Sequence, residues 1–351
     1  MRFQGSKDAN EALQADREGF KSIVEYAENY ELETLKHESA ACALERFMRT
    51  DNYKSDCYST GFDNLNDVLD GGLHAGLYII GAISSLGKTT FCQQLADQIA
   101  NGGNDVMYFS LEMSQEELIA KSLSREIFKG SDLKCGFTVR QLLHRDKYAA
   151  YSQDEQNRIK EAANSYRKYA ENIYIIEGVG DVTTDVIRSK VEEHIRITSK
   201  RPVVIIDYIQ IISPIEPRAT DKQNTDKTVL ELKRISRDFC IPVIGISSFN
   251  RENYSSAVSY ASFKESGGIE YSSDVLIGLQ YAGLDKIGGN KEKIAELVDS
   301  NNKLAQKGEV QKIQVKIIKN RNGVKGDMIL EFYPKFNTFI EECKENNWHD
   351  L

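Results

Sequence analysis

The run Gly81-Ala82-Ile83-Ser84-Ser85-Leu86-Gly87-Lys88-Thr89-Thr90 has the residue types and spacing of a phosphate-binding loop. Its pattern is A-x-x-x-x-G-K-T, with Ala82 in the first position. Gly87 lets the backbone turn so that successive N–H groups face a phosphate, and the helix that follows adds the partial positive charge of its N-terminus. Lys88 is spaced to reach the β- and γ-phosphates of a nucleotide, and the Thr89 hydroxyl to bind Mg²⁺. Ser84, Ser85, Leu86 and Thr90 complete the cradle. A glycine-rich strand-to-helix turn with no ligand shares some of these letters. Gly-Lys-Thr between the apolar Leu77–Ile80 and a helical pattern favours the nucleotide.

Such a loop needs a second acid for its metal, at the end of another buried strand. Val203-Val204-Ile205-Ile206-Asp207 supplies one, four aliphatic residues and then a carboxylate. Burying an unpaired carboxylate is costly, so Asp207 calls for a cation nearby. A strand-end aspartate that caps the next loop would read the same way in isolation. Hydrolysis of a phosphoanhydride also needs a group to orient water. Tyr108-Phe109-Ser110-Leu111-Glu112 carries Glu112 just past a strand expected to lie next to the phosphate-loop strand, which makes it the candidate general base. Its residue type fits a helix start ahead of Gln115-Glu116-Glu117 equally well.

Elements that could position these groups are visible along the chain. Short, nearly continuous apolar runs at Leu77–Ile80, Val106–Phe109, Ile173–Ile176, Val203–Ile206, Val243–Ile246 and Val275–Leu279 alternate with helical patterns. Strands buried on both faces read this way, so a mainly parallel sheet flanked by helices is expected. Ile313–Ile318 and Met328–Phe332, separated by Arg321-Asn322-Gly323 and Lys325-Gly326, predict an antiparallel pair at the sheet's end. Residues 9–49 instead show helical spacing (Leu32, Leu35, Ala40, Ala43, Leu44, Phe47), and all five prolines lie beyond residue 200. The composition turns loop-like near Thr60 and Asp70-Gly71-Gly72. The predicted division is therefore a helical segment over 1–56 and an α/β domain over 57–351.

Bulk properties exclude several classes. The 351 residues carry 45 basic and 53 acidic side chains, a net charge of −8, and are 40% apolar. That supplies a core of ordinary size and disfavours a protein that coats nucleic acid with its whole surface, though it allows a local basic groove. No run reaches the ~18–20 apolar residues needed to span a bilayer, and the first residues lack an apolar secretion core. A cytoplasmic protein with no membrane role is expected. The six cysteines are scattered without a C-x-x-C pair, which predicts reduced packing residues and neither a zinc site nor a disulfide frame.

The ordered series of motifs resembles the RecA-type motor of DnaB-family replicative helicases from about Thr60 to Phe339. It comprises Ser59-Thr60-Gly61-Phe62, Gly72-Leu73, the phosphate loop, Phe109-Ser110-Leu111-Glu112-Met113 and Ile206-Asp207-Tyr208-Ile209-Gln210. Ser247-Ser248-Phe249-Asn250-Arg251, Lys264-Glu265-Ser266-Gly267-Gly268-Ile269-Glu270 and Lys319-Asn320-Arg321-Asn322-Gly323 follow. The resemblance implies a RecA-like P-loop NTPase fold and a ring, typically hexameric, of identical subunits. Such a ring hydrolyses ATP with Mg²⁺ at subunit boundaries and translocates 5′ to 3′ on single-stranded DNA.

By the same resemblance, Glu112 activates water and Asp207 with Thr89 holds the metal. Lys319 and Arg321 reach the γ-phosphate bound by a neighbour, with Arg321 as arginine finger, a group worth ~10³–10⁵ in rate or about 4–7 kcal/mol of barrier. Lys264, Glu265 and Gly267 belong to the loop that grips the DNA backbone, so little sequence preference is implied. Ser248 stands where relatives have a γ-phosphate-sensing glutamine, and Lys264 where they often have arginine.

Lys7-Asp8-Ala9-Asn10-Glu11-Ala12-Leu13 is similar to the closing segment of the TOPRIM primase domain in phage-type primase–helicases. The implied protein is the helicase end of such an enzyme, from a phage or mobile element, without primer synthesis. A primase or a helicase loader is an implied partner. The helices over 9–49 would then serve as the linker that packs on an adjacent subunit. Two other readings remain open: a RecA- or KaiC-like DNA-dependent ATPase that does not unwind, and a regulatory fragment that binds nucleotide without turning it over.

Overall fold

The computed structural model describes residues 9–26, 39–49, 56–129, 136–178, 181–214, 216, 218–250, 256–263, 266–288 and 290–342. The chain divides into two compact units, Met1–Lys54 and Ser55–Leu351. The described part of the first unit is helical, with helices at Ala9–Ala15, 17–26 and Ala40–Arg49. Leu44, Phe47 and Met48 are exposed there.

The second unit runs α1 (Asp63–Val68), β1 (Gly76–Ala82), α2 (Lys88–Asn101), β2 (Val106–Ser110), α3 (Gln115–Lys129), α4 (Val139–Leu143), α5 (Gln153–Ala170), β3 (Ile173–Glu177) and α6 (Thr184–Thr198). It continues through β4 (Val203–Asp207), α7 (Asp221–Phe239), β5 (Pro242–Ser248), α8 (Ser266–Ser272), β6 (Val275–Tyr281), α9 (Lys291–Lys307), β7 (Gln311–Asn320), β8 (Gly326–Tyr333) and β9 (Thr338–Glu341). Nine strands form one sheet in the order β3-β2-β4-β5-β1-β6-β7-β8-β9. From β3 to β6 all pairings are parallel, and from β6 to β9 all are antiparallel.

The apolar runs become strands because alternate side chains feed two separate cores. In β1, Tyr78, Ile80 and Ala82 pack with Phe91, Leu95 and Ile99 of α2. Leu77 and Ile79 face the opposite side, with Ile187 and Val191 of α6 and Leu232 and Ile235 of α7. Helices on both faces explain why β1, β2, β4 and β6 are buried throughout. Among the parallel strands only β3, at the sheet edge, is half-exposed.

Two expectations are corrected. The strand leading to Glu112 is not next to the phosphate-loop strand, because β4 and β5 stand between β2 and β1. Each strand–helix unit looks alike locally, and apolar runs do not encode which strand lies beside which. The terminal β7–β8 pair is also followed by a third strand, β9, which pairs with β8. Among the described cysteines only Cys92 is buried, and Cys57 and Cys240 are exposed.

Candidate functional site

The parallel strands deliver their C-terminal ends to one edge of the sheet, where ligands of open α/β sheets bind. There β1 ends at Ala82, in register with Ser248 of β5, and Ser110 of β2 lies in register with Asp207 of β4. Leu111 N donates to the Asp207 carbonyl at 2.9 Å, so the turn carrying Glu112 is tied to the acid strand despite its distance from β1 in the sheet order. Ser84, Ser85, Gly87, Lys88, Thr89, Thr90, Glu112, Asp207 and Ser248 all line one cavity of about 520 Å³.

Gly87 is the N-cap of α2 with φ +88°, and no side chain caps the helix. The first-turn N–H groups are therefore left for a ligand. The Lys88 ammonium donates to the carbonyls of Ala82 (3.0 Å) and Ile83 (3.1 Å), which folds the side chain back over its loop. Burial lowers the Lys88 pKa, and the nearby Asp207 and Glu112 carboxylates offset part of that. Ala82 and Leu86 are buried and support the loop from below.

Asp207 is only 2% exposed. The Tyr108 hydroxyl donates to its Oδ2 at 3.2 Å, and the Thr89 hydroxyl also hydrogen-bonds the carboxylate. Burial nevertheless pushes its carboxyl above the ordinary aspartate value, because these neutral donors only partly replace water. A divalent cation would restore the charge. The donors here, a carboxylate and a hydroxyl, are the hard oxygen ligands that Mg²⁺ prefers, with waters and phosphates completing its shell. The residues present fit that ion.

Lys319 and Arg321 lie elsewhere. Because β7 runs antiparallel to β6, Asn320 pairs with Val275 at the start of β6, whereas the level of Ala82 is that of Leu279. At about 3.3 Å per residue, the turn after β7 begins roughly 16 Å from the phosphate-loop edge along the strands. The Lys319 ammonium donates to the carbonyls of Glu270 and, at 2.6 Å, Ser273. Burial lowers its pKa, and the Arg321 charge lowers it further. Arg321 is half-exposed, with one guanidinium nitrogen 3.3 Å from the Tyr271 carbonyl. Lys264 and Glu265 lie outside the described residues. Gly267 falls in the first turn of α8.

Sequence reasoning missed several groups in the cavity wall. Lys121 of α3 lines it, with its ammonium 3.3 Å from the Thr90 hydroxyl and its pKa lowered by burial. Phe332, Pro334 and Asn337 close the wall from the antiparallel end. Lys121 leaves one signal in the sequence: it shares a helix face with Leu118, Ser122 and Arg125, whose side chains are buried. Behind it, Arg125 is fully buried, ion-paired with Asp97 of α2, and donates to the Asn337 carbonyl at 3.0 Å. A second cavity of about 550 Å³, between α3, α4 and α5, is lined largely by Ile119, Leu123, Leu142 and Leu143. No helix among the described residues is long and apolar enough to cross a membrane.

A P-loop beside a buried strand-end acid on a mainly parallel sheet defines the P-loop class of nucleotide-binding fold. Residues 58–341 match the DnaB-like helicase C terminal domain, and the chain belongs to that family. It is 25% identical over 342 residues to the replicative DNA helicase DnaB of Helicobacter pylori strain J99, covering 92% of this chain and 65% of that protein. It is 27% identical over 290 residues to Geobacillus stearothermophilus DnaB, covering 80% and 56%. The chain thus spans less than two thirds of the length of these curated relatives. Among solved structures, one described as an ATPase domain superposes with a TM-score of 0.68 at 19% identity, covering 87% of this chain and 98% of that one. A DnaB-like replicative helicase, described with its interactions with primase, gives 0.67 at 19% identity, covering 95% and 77%. Both likenesses bear out the expected fold.

Proposed function

We propose that this chain is the motor of an ATP-driven replicative DNA helicase that assembles head to tail. The observation that carries this reading is the separation within one chain: the phosphate loop, Asp207 and Glu112 share one sheet edge, while Lys319 and Arg321 sit roughly 10 and 16 Å away along the strands, towards the other. One copy's cations therefore serve another copy's nucleotide. The exposed Leu44, Phe47 and Met48 support assembly, since an apolar stripe of this kind gains by packing on a partner.

In this reading, the α2 N-terminus and Lys88 hold the β- and γ-phosphates. Binding ATP exchanges the Ala82 and Ile83 carbonyls for phosphate oxygens around the Lys88 ammonium. Glu112, at the open side of the cavity, accepts a proton from the attacking water. Asp207 and Thr89 would hold Mg²⁺, which neutralises charge on the phosphate chain when bound. The neighbour's Arg321 and Lys319 stabilise charge that develops on the γ-phosphate. Ser248, at the end of β5, touches the same cavity, and its short hydroxyl gives a weaker link between phosphate and DNA than a longer amide would. Lys264, Glu265 and Gly267 are assigned to the single-stranded DNA backbone, and a primase or loader to the ring as partner.

A forked duplex with a 5′ tail tests the reading. Strand separation that requires ATP and Mg²⁺ and is lost in Lys88→Ala is expected. DNA-stimulated hydrolysis without separation would overturn the helicase and leave a RecA-like ATPase. Absence of hydrolysis would overturn the motor.

A further inference from the structure

We propose that Asp274 is a positioning residue that seats the Lys319–Arg321 pair for action on a neighbouring copy's nucleotide. This rests on the shared-site reading above and names a residue which that reading does not use.

Asp274 occupies the turn between α8 and β6 and is 8% exposed. Its Oδ2 accepts the Leu77 N–H at 2.7 Å and pairs with Lys233 of α7. Its own N–H donates to the Leu77 carbonyl at 2.8 Å. One carboxylate oxygen is thus fixed to the first turn of the central strand. The other, Oδ1, stands 3.6 Å from the Arg321 guanidinium, and the Asp274 carbonyl accepts the Arg321 N–H at 2.9 Å. Gly76 makes the room: a Cβ there would lie 3.2 Å from Oδ2.

Around this carboxylate, the last carbonyls of α8 and the turn after it complete the seat. Glu270 and Ser273 accept from Lys319, and Tyr271 accepts from Arg321. Two neighbouring cations repel each other, and Asp274 is the anion closest to Arg321 in this seat. A long, half-exposed arginine would otherwise sample many rotamers, at an entropy cost each time it engaged a phosphate. Asp274 confines it without touching the nucleotide of its own chain, which lies at the opposite edge of the sheet.

The test is Asp274→Asn, which keeps an acceptor for the Leu77 N–H and removes the charge. ATP hydrolysis should fall about 10- to 100-fold, the scale of an ångström-level misplacement of a catalytic group. Nucleotide binding at the variant's own phosphate loop should be unchanged, and Asp274→Glu should recover part of the activity. Subunit mixing supplies a readout that a merely structural role would not move. Asp274→Asn chains should regain hydrolysis when mixed with Glu112→Ala chains, which bring an intact finger, and should gain nothing from Arg321→Ala chains. The reverse pattern, or undiminished hydrolysis, overturns the proposal. If Asp274→Asn does not fold, Asp274→Glu is carried through the same mixtures. Arg321→Ala mixed with Glu112→Ala is the control: recovery there without recovery for Asp274→Asn overturns this inference alone. No recovery in the control, with mixed assemblies demonstrated, overturns the shared-site reading and this inference with it.

Discussion

Gly87→Ala separates two demands that the phosphate loop makes on one residue. The first is conformational: φ is +88°, and an L-residue there costs about 1–2 kcal/mol. The second is spatial. A Cβ would lie 3.0 Å from both Phe332 Cζ and Phe339 Cζ, and these rings are buried and stacked with centroids 4.3 Å apart. Neither ring can yield without disturbing the other, and overpacking of this kind adds about 1–3 kcal/mol. The total, about 2–5 kcal/mol, corresponds to a loss of roughly 3–8 °C in Tm for a unit of this size. Gly103→Ala is the internal control, because Gly103 has φ +84° with no atom within 4 Å of its Cβ position. It should lose only the conformational part, about 1–2 kcal/mol. Thermal melts of both variants without nucleotide measure the difference, and titration with a non-hydrolysable ATP analogue measures the consequence. Should the substituted loop relax to negative φ at this position, the α2 N–H groups turn away from the phosphates and affinity falls instead. Gly87→Ala that melts no lower than Gly103→Ala and still binds the analogue like the parent would refute the reasoning.

Asp207→Asn should stabilise the protein without nucleotide while abolishing the extra stability conferred by Mg²⁺–ATP. Burial lifts the Asp207 carboxyl above 3.8, so the folded state holds its proton more tightly than the unfolded chain. Stability present in acid is then lost as pH rises through the window above that value. The variant's advantage in Tm should grow as pH rises from 3.8 towards the raised folded-state value and then level off, and an advantage that does not grow counts against a strained carboxylate. Arg125→Met leaves Asp97 buried beside an apolar chain, so denaturant melts should show a loss of about 3–5 kcal/mol. Adding Asp97→Asn should return most of it, and no return would mean that the charge was not the cause. Lys121→Met removes a partly buried cation from the cavity wall. It should leave apo stability equal or higher and weaken binding of the ATP analogue roughly 10-fold, about 1.4 kcal/mol. Unchanged binding would place Lys121 outside the nucleotide's reach.

What could be read in the sequence followed from how strongly each feature is fixed locally. Val203–Ile206 has no polar face and is short and β-branched, the pattern of a strand covered on both sides, and β4 is buried throughout. The phosphate loop was legible because its glycine and lysine act through backbone geometry that neighbours in sequence largely determine. Strand order was not legible, since nothing in Val106–Phe109 distinguishes β4 from β1 as its neighbour. Thr338–Glu341 escaped notice because a single alternation of polar and apolar residues carries almost no signal, and its pairing with β8 is a tertiary matter. Lys121 stands four residues after Glu117, the spacing of a solvent-facing ion pair, which outweighs the weak signal of its apolar helix neighbours. Only the fold reveals that α3 turns this face toward α2 and the cavity.

The antiparallel end of the sheet bears on how copies must meet. In a purely parallel sheet every strand delivers its C-terminal end to the same edge, so a chain can gather a phosphate loop, an acid and a base there. It then has no C-terminal strand end left to carry cations away from them. β7 reverses direction, and its C-terminal end, with Lys319 and Arg321, emerges where β6 begins. The two edges of one subunit are thereby made unlike, one carrying the phosphate loop and the uncapped N-terminus of α2 and the other Lys319 and Arg321. In the proposed assembly a heterologous contact, repeated from copy to copy, brings the β7 turn to the next copy's α2, and such contacts close into a ring or extend as a helix.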